Sequence, residues 1–345
     1  MIGLVKLAHG NTELELREVA LREPGEDEVV VRVRYAGICG TDIHIARDEF
    51  PSWPPVVLGH EFTGTVERVG AGVDPALAGR RIVCEPHASA CHVCYLCRRG
   101  HPELCASKRS PGWGVNGAFA SHIVVPAWLL HTLPDEVPDE VAVLAEPMAV
   151  VMTALRRASL AAGDFVLVIG PGPVGALAAL ACRAAGAANV VVAGRASSTA
   201  RLGLLSDMGF TTLSSGVAQA ARDMTSGRGA DLVVECSGSA AGISIGIDAA
   251  RRRGRLASIG LSSQPTVEVP WDLATSRALD VAFSMSSNYE AWEPGLTILA
   301  RVAADVARLP TVYPLSAWRD AFVGLESRTV VKAVLDPTGA SGERA

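Results

Sequence analysis

Features that would indicate a nucleic-acid or membrane protein are scarce in this sequence of 345 residues. Lysine and arginine total 31 against 36 aspartate and glutamate residues, and the net charge of −5 provides no basic field for nucleic acid or anionic lipid. The one segment apolar enough to suggest a bilayer span, 165–192, is interrupted by Gly170-Pro171-Gly172-Pro173 and carries Arg183. We therefore expect neither a nucleic-acid partner nor a membrane partner.

The first ten residues also lack the apolar core of a secretory signal. We therefore expect a cytoplasmic protein. Eight cysteines in such a reducing compartment favour metal binding or catalysis over disulfide bonds. With 49% hydrophobic and 19% charged residues the chain has a globular composition, and its length predicts two domains. Because the net charge of −5 favours neither nucleic acid nor anionic lipid, we expect the protein to act on a small molecule.

The hydrophobic pattern divides the chain into two parts that predict different secondary structure. Up to residue 150, short alternating or β-branched runs are separated by Gly and Pro, which predicts a barrel-like β domain. From 151 to 284, apolar strands alternate with helices, which predicts a doubly wound parallel sheet. The tail 285–345 resumes with a helix predicted at 295–309 and strand-like pieces, and we expect it to complete the first domain. The predicted fold class is α/β.

Four of the cysteines form a tightly spaced group. Their spacing is Cys91-x2-Cys94-x2-Cys97-x7-Cys105. Four thiolates can enclose one Zn²⁺ with no open position, so this spacing predicts a structural zinc lobe. A zinc ribbon that grips nucleic acid is disfavoured, since no basic face or aromatic platform accompanies the cysteines. Three nearby histidines are possible spare ligands that we interpret as solvent-facing loop residues: His87, His92 and His101.

A second set of metal-binding residue types lies between Cys39 and Gly59-His60-Glu61. A thiolate, an imidazole and a carboxylate with an open fourth position are typical of catalytic zinc. The adjoining glycines favour the tight turns that bring ligands together. A further carboxylate, Glu146, stands at the junction of the two predicted domains and could complete the shell. Glu61 and Glu146 are therefore alternative ligands.

A glycine-rich turn follows the first strand of the predicted parallel sheet. Gly170-Pro171-Gly172-Pro173-Val174-Gly175 opens a helix, which favours close approach of the backbone to a pyrophosphate at the helix N-terminus. In NAD-binding chains an acid at the end of the next strand holds the ribose 2′-hydroxyl, but here that strand ends in Gly194-Arg195. A guanidinium can pair with a 2′-phosphate, so the sequence favours NADP, with NAD as the alternative.

Over nearly the whole chain these motifs resemble those of the zinc-dependent medium-chain dehydrogenase/reductase family. The segment Gly59-His60-Glu61-x2-Gly64-x5-Gly70-x2-Val73 fits the family signature, and the four-cysteine spacing and the glycine turn are similar to its other motifs. The resemblance implies a GroES-like catalytic domain at 1–150, completed by 285–345, and a Rossmann dinucleotide-binding domain at 151–284. It also implies one catalytic and one structural zinc, and a homodimer or homotetramer.

The resemblance also assigns roles to individual residues. Cys39 and His60 are similar to the catalytic zinc ligands, with Glu61 adjoining them. Glu146 stands where animal-type alcohol dehydrogenases have a second cysteine, which is similar to the sorbitol (L-iditol), threonine and butanediol dehydrogenases. Thr41 and His44 match the family's proton relay. The implied reaction is hydride transfer from an alcohol to a nicotinamide cofactor while the relay carries the alcohol's proton to water.

The sequence predicts the substrate class in less detail than the roles of the metal and relay residues. Trp53, Phe119 and residues 284–288 are candidate lining residues, and a polar pocket suits a polyol, a cyclitol or an amino-polyol. We therefore predict a zinc-dependent alcohol dehydrogenase of secondary alcohols. A threonine- or aminocyclitol-type dehydrogenase is the alternative within the class. A zinc-binding protein of the same fold without turnover is disfavoured by the intact ligand and relay residues, and a metal-free quinone reductase by both cysteine-containing motifs.

Overall fold

A computed structural model describes residues 1–10 and 13–338, and the last residues of the predicted tail, 339–345, lie outside the described residues. The strands in the described part, in chain order, are β1 Ile2–Lys6, β2 Leu14–Glu18, β3 Glu28–Gly37, β4 Val56–Val57, β5 Glu61–Val69, β6 Arg81–Cys84, β7 His122–Pro126, β8 Leu130–Thr132, β9 Phe165–Ile169, β10 Asn189–Ala193, β11 Thr211–Leu213, β12 Ala230–Glu235, β13 Ala250–Ser258, β14 Asp280–Phe283, β15 Pro310–Pro314 and β16 Lys332–Asp336.

The α-helices are distributed unevenly along the chain and are concentrated after residue 138. In the same order they are α1 Gly40–Ala46, α2 Asp139–Ala142, α3 Ala145–Arg157, α4 Pro173–Ala184, α5 Thr199–Asp207, α6 Val217–Met224, α7 Ala240–Ala249, α8 Trp271–Ser276, α9 Tyr289–Arg301, α10 Ala303–Val306 and α11 Trp318–Glu326. None of the helices in the described part of the chain has the length and apolar character needed to cross a bilayer.

The part of the chain predicted to alternate strands and helices, 151–284, folds as a parallel sheet. Its strand order is β11-β10-β9-β12-β13-β14, and the paired strands run parallel. Central strand β9 is buried at all five positions, as expected for a strand covered on both faces. This sheet confirms the predicted α/β class and its doubly wound half. The strand predicted to end at Gly194 is β10, and the helix predicted to follow the glycine turn is α4, which begins at Pro173.

The helix predicted at 295–309 was wrong in its limits. The helix α9 begins six residues earlier, at Tyr289, and contains Pro294, while α10 is separate. A proline inside a helix removes one helical hydrogen bond, and Pro294 stands directly before the predicted start at Gly295. The fully buried Trp292 ring, whose indole N–H donates to Ser287 Oγ at 3.1 Å, holds the preceding turn in place.

The first part of the chain folds as antiparallel β structure, to which the tail adds β15 and β16, two strands that run parallel to each other. The larger sheet has the order β15-β16-β3-β5-β6-β8, with β7 also on β3, and a smaller sheet has the order β2-β1-β4. In the β3–β5 register Gly37 lies opposite Glu61, and β16 pairs with the same end of β3 through Val334 and Gly37. Segments distant in sequence therefore meet at this end of the sheet.

The chain forms two compact units. Among the described residues, the first contains 1–146, 310–327 and 332–338, and the second contains 147–309 and 328–331. The sequence placed the return to the first domain at 285, whereas the contacts place it at Pro310. The difference arises because α9 packs against α4 and stays with the parallel sheet.

Candidate metal centre and cofactor turn

Three ligand types anticipated from the sequence meet at one end of the larger β sheet. Cys39 Sγ, an imidazole nitrogen of His60 and a carboxylate oxygen of Glu61 all lie within 4.8 Å of one another. The β3–β5 register produces this arrangement, because it sets the residues that follow β3 beside those that begin β5. A Cβ at Gly37 would overlap the Glu61 carboxylate, so a side chain at that position would displace Glu61.

Asp42, which sequence reasoning left without a role, is fully buried beside His60. Its Oδ2 accepts a hydrogen bond from the Cys39 N–H at 2.8 Å, and its Oδ1 lies 3.6 Å from His60 Nδ1. Burial lowers the pKa of His60, but the charges of Asp42 and Cys39 outweigh it and raise that pKa well above its usual value. A carboxylate behind an imidazole, in a site that favours positive charge, fits a bound metal cation.

The sequence contains a local signal for Asp42. Cys39 precedes helix α1, and Asp42 stands three residues later, where a carboxylate can accept a hydrogen bond from the residue that caps the helix. Asp42 Oδ1 and His60 Nδ1 have no hydrogen-bond partner among the described residues. A proton on Nδ1, with Nε2 directed to a metal, would satisfy both atoms after a small adjustment.

Lys332 is a second residue that sequence reasoning missed. Its ammonium group forms an ion pair with the Glu61 carboxylate and donates a hydrogen bond to the Ile38 carbonyl at 2.9 Å. Burial lowers the pKa of Lys332, whereas the charges of Glu61 and Cys39 raise it, with a net increase. No local pattern marks this lysine, because only the pairing of β16 with β3 brings it to the site.

Glu146, the other candidate carboxylate, is buried in the first turn of α3. Burial and the neighbouring Glu61 raise its pKa to about 7, while the cations His60, Lys332 and Lys108 lower it. Glu146 is not part of the three-residue cluster, but these electrostatic interactions place it beside that cluster. Glu61 and Glu146 therefore stay as alternative metal ligands. They differ in that Glu61 forms an ion pair with Lys332.

Helix α1 carries both residues of the anticipated proton relay. Thr41 Oγ1 lies 3.6 Å from Cys39 Sγ, and His44 follows three residues later, on the same face of the helix. His44 Nδ1 lies 2.7 Å from Glu49 Oε2, and the Glu49 N–H donates to the His44 carbonyl at 2.8 Å. Glu49, which the sequence did not single out, therefore fixes the orientation of the His44 imidazole.

The turn that presents Glu49 is held by its neighbour Asp48. Asp48 has φ of 58°, a left-handed conformation that is unfavourable for a residue with a side chain. Its carboxylate pairs with the fully buried Lys6 at 2.9 Å and accepts the Gly10 N–H at 2.7 Å. The hydrogen bond from Lys6 lowers the pKa of Asp48 to about 2. A contact from β1 thus holds the turn after α1.

The four lobe cysteines also converge. Their sulfur atoms lie within 4.8 Å of one another, and all four are free thiols. The Cys91 N–H lowers the pKa of Cys105 to about 6, while burial and the neighbouring thiols raise that of Cys97 to about 12. Thiolates this close repel one another unless a cation lies between them, so the donor set fits tetrahedral zinc.

The histidines beside the lobe do not join its cluster. The interpretation of His87 as solvent-facing was wrong, because it is fully buried, with Nε2 3.7 Å from Glu85 Oε2. His92 is exposed, and His101 Nδ1 lies 3.0 Å from Glu103 Oε1. The His87 imidazole is buried beside the Glu85 carboxylate, which stands two residues earlier and is itself buried.

The two aromatic lining candidates of the first unit differ in exposure. Phe119 is fully buried against Gly59, where any Cβ would overlap its ring, and so it supports the turn before His60. Trp53 is 43% exposed, packs on Trp113 with ring centroids 5.6 Å apart, and has the Arg109 guanidinium 3.7 Å from its ring centroid. Of these two rings, only that of Trp53 is open to a ligand.

The glycine turn lies between β9 and α4, as the sequence predicted. Gly170 has φ of 105°, Gly172 caps α4, and Pro173 is its first residue, where a missing N–H costs nothing. A Cβ at Gly175 would overlap the Gly170 carbonyl, so this glycine allows the turn to close. Val174 follows Pro173 in the first turn, whose N–H groups favour an anionic group.

The end of β10 packs directly against this turn. The Gly170 N–H donates to the Ala193 carbonyl at 2.8 Å, and a Cβ at Gly194 would lie 2.7 Å from Pro171 Cγ. A side chain at residue 194 would therefore require Pro171 to shift. Arg195 is the first residue after β10 whose side chain is exposed.

Two protein-family models match different segments of this chain. Residues 25–135 match the alcohol dehydrogenase GroES-like domain, and residues 173–301 match zinc-binding dehydrogenase. The first range lies in the unit with the Cys39 cluster and the four-cysteine lobe, and the second contains the glycine turn from Pro173 onward.

Individual proteins match over almost their full length. A sorbitol dehydrogenase from Halalkalibacterium halodurans is 33% identical over 342 residues, which cover 98% of this chain and 99% of that protein. An L-threonine 3-dehydrogenase from Saccharopolyspora erythraea is 32% identical, with coverage of 94% and 96%. The crystal structure of a zinc-binding dehydrogenase from Sinorhizobium meliloti bound to NADP is 27% identical, with a TM-score of 0.86 and coverage of 97% and 99%.

Proposed function

Because this chain belongs to the zinc-dependent medium-chain dehydrogenase family and is an alcohol oxidoreductase, we propose that it oxidises a secondary hydroxyl of a polyol, cyclitol or amino-polyol. The observation that supports this proposal is the Cys39, His60 and Glu61 cluster, with Thr41 in contact with the same thiol. The sorbitol dehydrogenase relative supports the polyol class. A small-molecule alcohol is the substrate, and the cytoplasm is the compartment we propose.

We propose two zinc sites per chain, supported by the two donor sets. Cys39 and His60 would hold the catalytic ion together with Glu61 or Glu146, and the four lobe cysteines would hold a structural ion. Zinc, when bound, supplies Lewis-acid polarisation that lowers the pKa of an alcohol, as it lowers that of water from about 16 to about 7. Asp42 orients the His60 imidazole, and Lys332 balances the charge of Glu61.

Thr41 and His44 would move the proton. The Thr41 hydroxyl accepts the alcohol's proton and passes its own toward His44, from which a proton reaches water because the side chain is 31% exposed. Glu49 holds the imidazole in position while this happens. A nicotinamide, when bound, would accept the hydride from the carbon that bears the hydroxyl, so that the alcohol would lose two electrons and two hydrogens and become a ketone.

We favour NADP over NAD as the nicotinamide cofactor. The turn from Gly170 to Gly175 would bind the pyrophosphate at the N-terminus of α4. Gly194 leaves no acid to hold a ribose 2′-hydroxyl or to repel a 2′-phosphate, and Arg195 supplies a guanidinium in its place. The NADP-bound relative is consistent with this preference.

The proposal is tested with a panel of polyols, cyclitols and amino alcohols, monitored by absorbance of the reduced cofactor. We expect turnover with at least one secondary alcohol, and a loss of about 10²- to 10⁴-fold in kcat for Thr41→Val with zinc content unchanged. The matched control is Thr297→Val, on the surface of α9, where the hydroxyl bonds only to the Glu293 carbonyl among the described contacts. Absence of turnover across the panel with zinc bound would contradict the proposal.

A threonine-type dehydrogenase is the second candidate. The relative that favours it is the L-threonine 3-dehydrogenase at 32% identity over 94% of this chain. The same panel separates the two candidates, since a threonine-type enzyme would oxidise L-threonine with a kcat/KM well above that for any polyol.

For assembly we propose a homodimer or homotetramer, in which the edge strand β14 pairs with its copy. Light scattering on the purified protein tests the assembly.

A further inference from the structure

Three arginines gather beyond the carboxyl end of β10, although one of them is distant in sequence. Arg195 follows β10 directly, Arg201 lies in α5, and Arg328 belongs to the segment 328–331 of the same compact unit. Arg328 Nη1 donates to Ser197 Oγ at 3.3 Å, and Ser197 is two residues after Arg195. We refer to Arg195, Arg201 and Arg328 as the arginine cluster.

The segment that carries Arg328 is held in place by Arg201. Nε and Nη2 of Arg201 donate to the Val330 carbonyl at 3.1 and 2.8 Å. Arg328 itself has φ of 62°, a left-handed conformation that an ordinary side chain seldom adopts without outside support. Arg201 therefore uses its donors on the backbone, and this contact fixes where Arg328 points.

The cluster concentrates positive charge. Burial and the nearby Arg328 both lower the pKa of Arg201, which shows that the guanidinium groups interact unfavourably. Within the described residues, neither Arg195 nor Arg328 forms an ion pair with a carboxylate. Repulsion of this kind is relieved when an anion binds between the groups.

The position of the cluster indicates which anion. Gly194, adjacent to Arg195, lies against Pro171 of the glycine turn, so the cluster borders the place where that turn would bind the cofactor pyrophosphate. In a Rossmann unit the residues after the second strand face the adenosine ribose. A phosphate on the ribose would come within reach of guanidinium donors from two different segments of the chain.

We propose that Arg328, together with Arg195, binds the 2′-phosphate of NADP, and that Arg201 acts as the positioning residue. This inference rests on the proposed nicotinamide-dependent function and extends its cofactor preference to a residue far from the Rossmann motif. Arg328 contributes a forked donor pair to the phosphate, and Ser197 holds the guanidinium in the required place.

The test measures binding of 2′,5′-ADP and of 5′-AMP to the full chain by calorimetry. Wild type should prefer 2′,5′-ADP, and Arg328→Gln should weaken 2′,5′-ADP binding about tenfold or more while 5′-AMP binding changes less than about twofold. Arg328→Lys, which keeps the charge, should recover part of the loss. Arg253→Gln is the matched control, since Arg253 is also exposed with φ of 54° in the same unit, and it should change neither affinity.

Three results would overturn the inference. Equal losses for both ligands in Arg328→Gln and Arg328→Lys would indicate a structural role. An unchanged 2′,5′-ADP affinity in both variants would remove Arg328 from the site and leave the NADP proposal with Arg195 alone. If wild type binds 5′-AMP as tightly as 2′,5′-ADP, the cofactor preference itself is wrong, while alcohol oxidation in the substrate panel would still stand.

Discussion

The ammonium group of Lys332 and the carboxylate of Glu61 form an ion pair in which both side chains are at most 2% exposed. The two residues are separated by 271 positions, and the pair exists because β16 and β5 both lie on β3. Taking two charges out of water is costly, and the hydrogen bond from Lys332 to the Ile38 carbonyl offsets part of that cost. The pair places a positive charge beside one of the two carboxylates that are candidate metal ligands.

Removing one member of this pair should be more harmful than removing both. Lys332→Met leaves Glu61 buried and uncompensated, which is expected to lower the free energy of unfolding by about 3–5 kcal/mol. The double variant Lys332→Met/Glu61→Gln should recover a large part of that loss. Urea denaturation of the zinc-loaded proteins measures both values, and equal losses in the single and double variants would contradict the expectation.

Metal content should separate the two cysteine groups. Wild type is expected to bind two zinc ions per chain. Cys39→Ser should bind one zinc ion and keep its fold. Cys97→Ser should also bind one, and its thermal stability should be lower because the lobe loses its cross-link. Elemental analysis and thermal unfolding provide the measurements. Cys236→Ser is the control, since that cysteine is outside both clusters and its loss should leave two ions bound. A single zinc that survives in Cys39→Ser would contradict the catalytic assignment.

The Lys6–Asp48 contact should make stability depend on acid pH. The folded pKa of Asp48 is about 2, below the unfolded value of about 3.9, so its contribution is fully present above pH of about 4 and is lost as the pH falls toward 2. The difference in unfolding free energy between wild type and Asp48→Asn should therefore be constant from pH 7 to about 4 and shrink below. In a Lys6→Met background this pH dependence should weaken, and an unchanged profile there would argue against Lys6 as the partner.

Glu49 should affect turnover more than binding. Without its carboxylate the His44 imidazole loses a fixed orientation, so Glu49→Ala is expected to lower kcat about 10-fold with KM nearly unchanged, and Glu49→Gln less. Steady-state kinetics in water and in deuterium oxide measures the effect, and the solvent isotope effect should increase as proton transfer becomes limiting. The control is Glu67→Gln, which alters an equivalent surface contact at 3.1 Å from His122. Equal effects of Glu49 and Glu67 variants would contradict the role.

Cofactor choice should respond to charge at Arg195. Arg195→Asp is expected to lower kcat/KM for NADP by about 10²-fold or more and to change that for NAD much less, because an acid repels a 2′-phosphate and can bind a 2′-hydroxyl. Arg253→Asp serves as the control for the added negative charge. If wild type prefers NAD strongly, the interpretation of Gly194-Arg195 is wrong whatever the variant does.

Local spacing was sufficient to predict much of this protein. The alternation of strands and helices after residue 150 predicted the parallel sheet, because each βαβ unit needs the same apolar and turn residues wherever it occurs. The group Cys91, Cys94, Cys97 and Cys105 likewise carries its ligand geometry within one short loop. Where helix limits were wrong, as at α9, a buried ring had stabilised a turn that the adjacent proline disfavoured.

By itself the sequence determined the ligand types, the glycine turn and the secondary-structure patterns of the two parts of the chain, since these depend on residues close together in the chain. Only the tertiary structure decided which distant groups act on them. Lys332 reaches Glu61 through strand pairing, Lys6 holds Asp48 from β1, and Arg328 reaches Ser197 through a segment that Arg201 holds. Single charged side chains like these leave no periodic pattern, because their partners are set by sheet register and packing and not by spacing along the chain.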